Sequence, residues 1–346
     1  SQDTLLVTSD HGQIDAGGHG GDDPVTLTEP FVLVGAGVKP SAYPDIQMVD
    51  IAPTLAALLG ANLPASAQGR ALQEMLDLPA DTYAALPRAT RLQQSALLQA
   101  YSKAMGVPAP QLNGADVAAY QSALEEIRDA RAARERLPRA VLAAIISLFP
   151  AVVLVLIRRS GSAWFLGGAI LFQLLFHFRY AVLDGRVYSL SSITGETDFI
   201  LYVAITGAAA LAICWAVVMI PSGMLRRGPR AAVQSVLALA LACAYLLSLP
   251  ILYHFALNGA LVAWNLPVMG PAYMALLSLV AIISVSAAGL LLAGISALLG
   301  ALVKPKANQA VSERLPRTLS PADRTLMMRE RNRPENGIDL AQIRIT

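Results

Sequence analysis

Five long apolar runs fill most of the second half of the sequence, and they constrain the fold more than any other feature. They cover residues 141–157, 163–182, 199–220, 231–255 and 271–303. A helix of about 20 consecutive apolar residues spans the hydrocarbon core of a bilayer. The runs therefore predict an α-helical membrane domain of about five transmembrane helices over residues 140–303.

The composition agrees with a membrane domain. Hydrophobic residues make up 55% of the 346-residue chain and charged residues only 14%, against about 25% charged residues in an ordinary soluble domain. This balance, with a net charge of only +2, excludes an intrinsically disordered protein and a nucleic-acid-binding protein. Both cysteines, Cys214 and Cys243, lie inside apolar runs, which excludes a disulfide framework and a cysteine zinc site.

The basic residues in the loops predict how the chain is oriented. If residues 1–139 lie outside the cytoplasm, the cytoplasmic positions carry these basic residues: Arg158, Arg159, Arg226, Arg227, Arg230, Lys304 and Lys306. The opposite loops carry few. The positive-inside rule then predicts an extracytoplasmic N-terminal segment and a cytoplasmic tail over residues 304–346. The tail is polar and lacks an apolar period, so we expect it to be flexible.

The segment before the first run divides into two parts. Residues 1–78 alternate short apolar stretches with turns, and the continuously apolar stretches Thr4–Thr8 and 30–35 predict buried parallel strands of an α/β domain. Asp50 is placed to cap a helix that Gly60 ends. Residues 79–139 are rich in Ala, Gln, Leu and Glu, and they predict a helical connector to the membrane with a break near residues 106–110.

The residues that carry chemistry follow the first predicted strand. Asp10 and His11 lie side by side at its end, and His19 follows across a glycine-rich stretch. A carboxylate and imidazoles are suitable ligands for zinc or manganese. The plainer alternative is a capped turn with an exposed aspartate and two solvated histidines, because Asp-His is a short pattern.

Three stretches of the first 78 residues together resemble one family. They are TLLVTSDHGQIDAGGHGGDD, EPFVLVGAGV and YPDIQMVDIAPTLAALLGANLPASAQGRAL. This order resembles the C-terminal part of the catalytic domain of the alkaline-phosphatase superfamily, and the overall plan is most similar to membrane-bound GPI ethanolamine phosphate transferases and their prokaryotic relatives. The motifs cover residues 1–78, whereas residues 79–303 are similar only in layout.

The resemblance implies a fold and an activity. It implies the α/β C-terminal portion of an alkaline-phosphatase-like domain, followed by a helical multi-span membrane domain. Asp10 and His11 would bind one divalent metal ion and His19 a second, with zinc expected and manganese as the alternative. The implied reaction is phosphoryl-group transfer of the phosphoethanolamine type, or phosphodiester hydrolysis, on a lipid-linked substrate at the bilayer surface. Two metal ions in such sites clamp the attacking and leaving oxygens.

The sequence departs from the family pattern at several positions. The family's nucleophile and its Asp-x-x-x-His motif precede Asp-His-Gly, so we expect the nucleophile upstream of Ser1 and no activity from residues 1–346 alone. The Asp-x-x-x-His formed by Asp15 and His19 follows Asp-His-Gly, and we interpret Asp15 as a turn residue. Gln13 stands where many relatives have Met, which bears on the identity of the substrate.

Two other functions are consistent with the sequence. The first alternative is a membrane-anchored hydrolase of soluble phosphodiesters or sulfate esters. The second is a non-catalytic scaffold or transporter with a vestigial domain. The cofactor-independent phosphoglycerate mutases share the Asp-His-Gly signature, but the apolar runs disfavour that assignment.

The membrane domain contains further polar and small residues of interest. His177, Arg179 and Asp184 lie near one end of the second run, where they either contact a lipid headgroup or extend to the interface. Trp215 lies deep in the third run and is expected to pack between helices. The last run is longer than a bilayer requires and predicts a tilted or kinked helix, with candidate weak points at Gly289, Gly294 and Gly300.

Overall fold

The computed structural model describes residues 3–15, 17–112, 114–157, 162–260 and 266–303, and the protein is mostly helical over these ranges. The elements are β1 (Thr4–Thr8), α1 (Pro24–Leu27), β2 (Phe31–Gly35), α2 (Ile51–Leu58), α3 (Ala80–Met105), α4 (Val117–Ile157), α5 (Ser162–His177), α6 (Glu196–Ser222), α7 (Pro229–Asn258) and α8 (Met269–Leu302). The predicted flexible tail, and the loop bases Arg158, Arg159, Lys304 and Lys306, lie outside the described residues.

Among the residues that the structure describes, four helices are long and apolar enough to cross a membrane. Their spans are Ala163–Leu183, Glu196–Pro221, Pro229–Asn258 and Met269–Leu302, and they coincide with the last four predicted runs. The remaining run, 141–157, forms the end of α4 and is not among these four. It nevertheless packs beside α7, where the hydroxyl of Tyr245 donates to the carbonyl of Ser147 at 2.8 Å. The structure therefore supports four spans, and the fifth stays a prediction.

Small residues allow α7 and α8 to pack closely. A Cβ atom on Gly289 would lie 2.9 Å from the Cβ atom of Ala240, and one on Gly300 would lie 2.9 Å from the Cα atom of Pro229. Small residues at such contacts let membrane helices approach each other closely. α8 runs as one helix through all three glycines predicted as weak points. Gly289 and Gly300 therefore contribute to the packing of α8 against α7.

The prediction of buried parallel strands is wrong. β1 and β2 pair antiparallel, with Leu6 opposite Leu33, and Leu5 and Val7 are 59% and 49% exposed. Parallel strands require a crossover connection of a dozen or more residues, usually a helix lying over the sheet. The described part of the connection between these strands contains only the four-residue helix α1. Within the described ranges this is the one sheet, so the α/β arrangement predicted for residues 1–78 is not supported.

A small core forms around α2 instead. Leu76 is fully buried and clusters with Ala57, Ala71 and Leu86. Asp50 lies at the N-cap position of α2, as expected, but its side chain does not cap that helix. Its Oδ1 atom accepts a hydrogen bond from the backbone N–H of Arg70 at 2.8 Å. The carboxylate therefore ties the segment after α2 back to the start of that helix.

The two helices α3 and α4 join this core to the membrane helices. α3 ends at Met105 and is followed by Gly106, whose φ of +67° is the left-handed conformation that glycine adopts most easily. The buried amide of Gln94 donates to the carbonyls of Ala67 and Gly69, each at 3.0 Å. α4 packs against α3 through Leu98 and Tyr120 and continues into the bundle.

Candidate functional site

Asp10 and His11 begin the connection that follows β1. The hydroxyl of Ser9 donates to the carbonyl of His11 at 2.8 Å, and the backbone N–H of His11 donates to Oδ1 of Asp10 at 3.1 Å. The Nε2 atom of His11 lies 3.5 Å from Oδ2 of Asp10. The short turn thus holds the carboxylate and the imidazole of adjacent residues against each other.

The glycine-rich stretch returns His19 to the same place. The backbone N–H of Ile14 donates to the carbonyl of Gly18 at 3.0 Å, and the N–H of Gly17 donates to the carbonyl of Ile14 at 2.8 Å. This tight turn, which contains Asp15, brings the rings of His11 and His19 into a parallel stack with centroids 4.2 Å apart. The structure therefore brings together Asp10, His11 and His19.

The donor types suit a divalent metal ion, but their placement does not form a complete site. The Asp10 side chain is 86% exposed and that of His11 is 35% exposed, so the cluster is open to solvent. Among the residues that the structure describes, no group of three His, Cys, Asp or Glu side chains is arranged to hold a metal ion. A metal ion held here would need further ligands.

Gly12 is required where the two halves of this loop meet. Its N–H donates to the carbonyl of Thr26 at 3.1 Å. A Cβ atom on Gly12 would collide with the carbonyl oxygen of Val25. The Asp-His-Gly turn therefore lies directly against the start of the segment that leads into β2.

The glycine-rich loop, residues 17–23, contacts the α5–α6 loop, residues 184–195. Oδ2 of Asp23 accepts hydrogen bonds from the hydroxyls of Ser189, at 2.8 Å, and Ser191. Both bonds lower the pKa of Asp23, and the bond from Ser191 has the larger effect. Sequence reasoning missed this contact, because a serine carries no signal for a partner more than 160 residues away in the chain.

Polar aromatic residues lie at the same end of the membrane helices. After α5 the chain forms one π-helical segment, Phe178–Leu183, and such segments are often found at functional sites. Tyr180 in that segment is fully buried, and its hydroxyl is hydrogen-bonded to that of Tyr273 at the start of α8. The hydroxyl of Ser192 lies 3.3 Å from that of Tyr273. The α5–α6 loop is thereby connected to two membrane helices.

The charged residues predicted near this end interact with each other. Asp184 accepts a hydrogen bond from the hydroxyl of Tyr202 at 2.6 Å and from Nε of Arg179 at 3.4 Å. The bond from Tyr202, and after it the one from Arg179, lowers the pKa of Asp184. The guanidinium of Arg186 lies 3.9 Å from the centre of the Tyr202 ring, as in a cation–π contact. Asp184 and Arg179 thus have protein partners, as has His177, whose Nδ1 lies 2.9 Å from the hydroxyl of Tyr188.

Trp215 packs between helices, as its depth in the third run predicts. Its indole N–H donates to the hydroxyl of Ser296 in α8 at 2.8 Å. A buried indole N–H needs such a partner. This contact is structural and lies away from the histidines.

Comparisons with protein-family models, with curated proteins and with solved structures gave no match.

Proposed function

We propose that this chain carries part of a metal-dependent site for phosphoryl-group transfer, of the phosphoethanolamine type, or for phosphodiester hydrolysis at a membrane surface, with a lipid-linked substrate. The observation that carries the proposal is the grouping of Asp10, His11 and His19 on a segment that contacts the loop between the membrane helices α5 and α6. Carboxylate and imidazole are the donors that zinc and manganese accept. The resemblance of the surrounding motifs to the alkaline-phosphatase superfamily supports the same chemistry.

The residues of this chain would act as ligands and as a positioning frame. By the resemblance, Asp10 and His11 would bind one ion and His19 the other. Bound divalent ions would supply Lewis-acid stabilisation of charge on phosphoryl oxygens. The turn that stacks the two imidazoles would fix their ring orientations before a metal ion binds. Binding would then cost less side-chain conformational entropy.

A lipid-linked substrate is favoured by where the histidines lie. His19 is four residues from Asp23, and four residues extend over at most about 14 Å. Asp23 is hydrogen-bonded to the α5–α6 loop, which begins one residue after the apolar span that ends at Leu183. A headgroup at the bilayer surface is thus within reach of the histidines, whereas an anchored hydrolase of soluble substrates would not need this proximity.

Activity of the full-length protein in nanodiscs tests the proposal. We expect release of diacylglycerol from phosphatidylethanolamine, with its phosphoethanolamine group transferred to water or to an added sugar hydroxyl, or release of nitrophenol from bis-(p-nitrophenyl) phosphate. Either activity should be lost with a chelator and restored by zinc or manganese. His11→Ala and His19→Ala should each reduce the rate by about 100-fold or more, because even partners outside the first ligand sphere cost about 10- to 100-fold. Asp15→Ala, in the exposed turn of the same loop, is the matched control and should retain activity.

The same assay distinguishes the alternatives. Turnover of soluble phosphodiesters without activity on lipid substrates would indicate the anchored hydrolase, and preference for p-nitrophenyl sulfate would indicate a sulfatase. No turnover of any of these substrates by the full-length protein would contradict the proposal. Equal rates for the wild type and for both histidine variants would contradict the assignment of His11 and His19.

A further inference from the structure

The contact between the glycine-rich loop and the α5–α6 loop is buried and is made through directed hydrogen bonds. Ser191 and Ser189 are 2% and 7% exposed, and both hydroxyls point at the same carboxylate oxygen of Asp23. The two hydroxyls also lie 2.8 Å from each other. A carboxylate that accepts two hydroxyl hydrogen bonds forms charge-assisted bonds, about twice as strong as neutral ones.

Glycines make this contact possible. A Cβ atom on Gly18 would collide with the carbonyl oxygen of Ser191, and one on Gly21 would collide with the hydroxyl of Ser189. Gly18 is itself buried and immediately precedes His19. The backbone beside the histidine therefore lies directly on the α5–α6 loop, and a Cβ atom at Gly18 would push the backbones of the two loops apart, whereas one at Gly21 would displace the Ser189 hydroxyl from Asp23.

The contact continues into the helix bundle. The hydroxyl of Ser192 donates to the carbonyl of Ser189 at 2.7 Å and also approaches the hydroxyl of Tyr273. Tyr273 is in turn bonded to Tyr180, and both tyrosines are fully buried. The α5–α6 loop is therefore held in place by α8 and by the π-helical end of α5, which makes it a firm support for Asp23.

We propose that Asp23 is a positioning residue, which fastens the glycine-rich loop to Ser189 and Ser191 and so holds His19 at the membrane surface, within reach of a substrate in the bilayer. The role of Asp23 in catalysis rests on the proposed function. Asp23 would not touch the substrate itself. Its loss would leave the histidines present but free to move away from the bilayer.

Activity on two kinds of substrate tests the positioning role. In nanodiscs, Asp23→Ala should reduce kcat/KM for a bilayer-embedded substrate by about 10-fold or more, because the glycine-rich loop loses both of its charge-assisted hydrogen bonds to the α5–α6 loop. The rate on soluble bis-(p-nitrophenyl) phosphate should change much less. The Ser189→Ala/Ser191→Ala double variant should reproduce the effect, and Asp23→Ala added to it should cause little further loss. Asp22→Ala, at the exposed neighbouring residue, is the matched control.

Cross-linking tests the contact independently of activity. Asp22→Cys combined with Thr194→Cys, two exposed positions beside the contact that leave Asp23, Ser189 and Ser191 in place, should be linked by a bifunctional thiol reagent in native membranes, while each single variant should not. Cys214 and Cys243 are buried, so they contribute little background. Absence of the cross-link would overturn the contact and the proposal with it. A cross-link together with an unchanged ratio of lipid to soluble activity in Asp23→Ala would overturn the positioning role. An inactive wild type would overturn the proposed function, and with it the positioning role, whatever the cross-link shows.

Discussion

Single carboxylates hold the segments before the membrane domain together, and Asp50 shows how. Its side chain is 7% exposed and accepts the backbone N–H of Arg70 across 20 residues of chain. The hydroxyl of Thr54, one helical turn after Asp50, accepts the N–H of Leu72 at 3.0 Å. The N–H of Leu72 would otherwise be buried without a partner, which is costly, and the part-buried N–H of Arg70 gains a charged acceptor.

Asp50→Ala should therefore loosen the segment after α2. The part-buried N–H of Arg70 would lose its charged acceptor, at a cost of about 2 kcal/mol, so amide exchange at Arg70 and Leu72 should accelerate about 30-fold. Hydrogen exchange measured by mass spectrometry checks this. Asp50→Asn retains one acceptor oxygen, so its exchange rate should lie between those of the wild type and Asp50→Ala. An unchanged exchange rate in Asp50→Ala would contradict the role of the carboxylate.

The Asp23 contact should release in acid. Its hydrogen bonds hold the pKa of Asp23 below the ordinary value of 3.8, so the charged form is favoured in the folded state. The stabilisation is then fully present above that ordinary value and is lost as the pH falls through the lower folded pKa. Exchange protection of residues 189–192 should decrease below about pH 4. In Asp23→Asn, which does not titrate, a decrease of equal size would assign the effect to other groups.

The difference between these residues and the histidines explains what sequence alone could predict. Asp10, His11 and His19 fall within ten residues, so their grouping follows from a short turn that glycines permit. Asp23 finds its partners 166 and 168 residues away. Nothing in the local pattern around either serine encodes that distance. The long-range contacts of the candidate site therefore required the structure.

At the scale of elements, the length and periodicity of the apolar runs are sufficient to predict the membrane helices, but they do not predict how the strands pair. The four spans follow from long apolar runs, which have few alternatives in a bilayer. The apolar stretches that form β1 and β2 are equally consistent with parallel and antiparallel pairing, and the pairing depends on the connection between them. In the part of the chain that the structure describes, that connection holds one four-residue helix.

The α7–α8 contact should respond to one methyl group. In Gly289→Ala the new Cβ atom would lie 2.9 Å from that of Ala240, whereas at Gly294 it would meet open space. Overpacking costs about 1–3 kcal/mol, so Gly289→Ala should lower the Tm in detergent. Gly294→Ala is the matched control and should leave the Tm unchanged or raise it slightly. The exposure of Cys214 and Cys243 to a thiol-reactive dye on heating reports unfolding, and equal Tm values for both variants would contradict the packing role of Gly289.

The whole molecule should have its candidate site and its basic loops on opposite sides of the membrane. The helix ends at Leu183 and Asn258 and the start of α8 lie at the end of the bundle near the glycine-rich loop, because successive spans alternate in direction. In intact cells, an impermeant thiol reagent should label Ala260→Cys and spare Arg227→Cys. Permeabilised cells, in which both should react, provide the control. The reverse labelling pattern would overturn the predicted extracytoplasmic orientation.

The length of α4 has a mechanical consequence. At 41 residues and 1.5 Å per residue its axis is about 60 Å long, with one end beside α7 and the other against α3. A domain that is attached through a single helix can rotate about the axis of that helix. The hydrogen bonds of Asp23 to the α5–α6 loop form a second attachment away from this axis and oppose the rotation. A torque on the connector would therefore be transmitted to the α5–α6 loop.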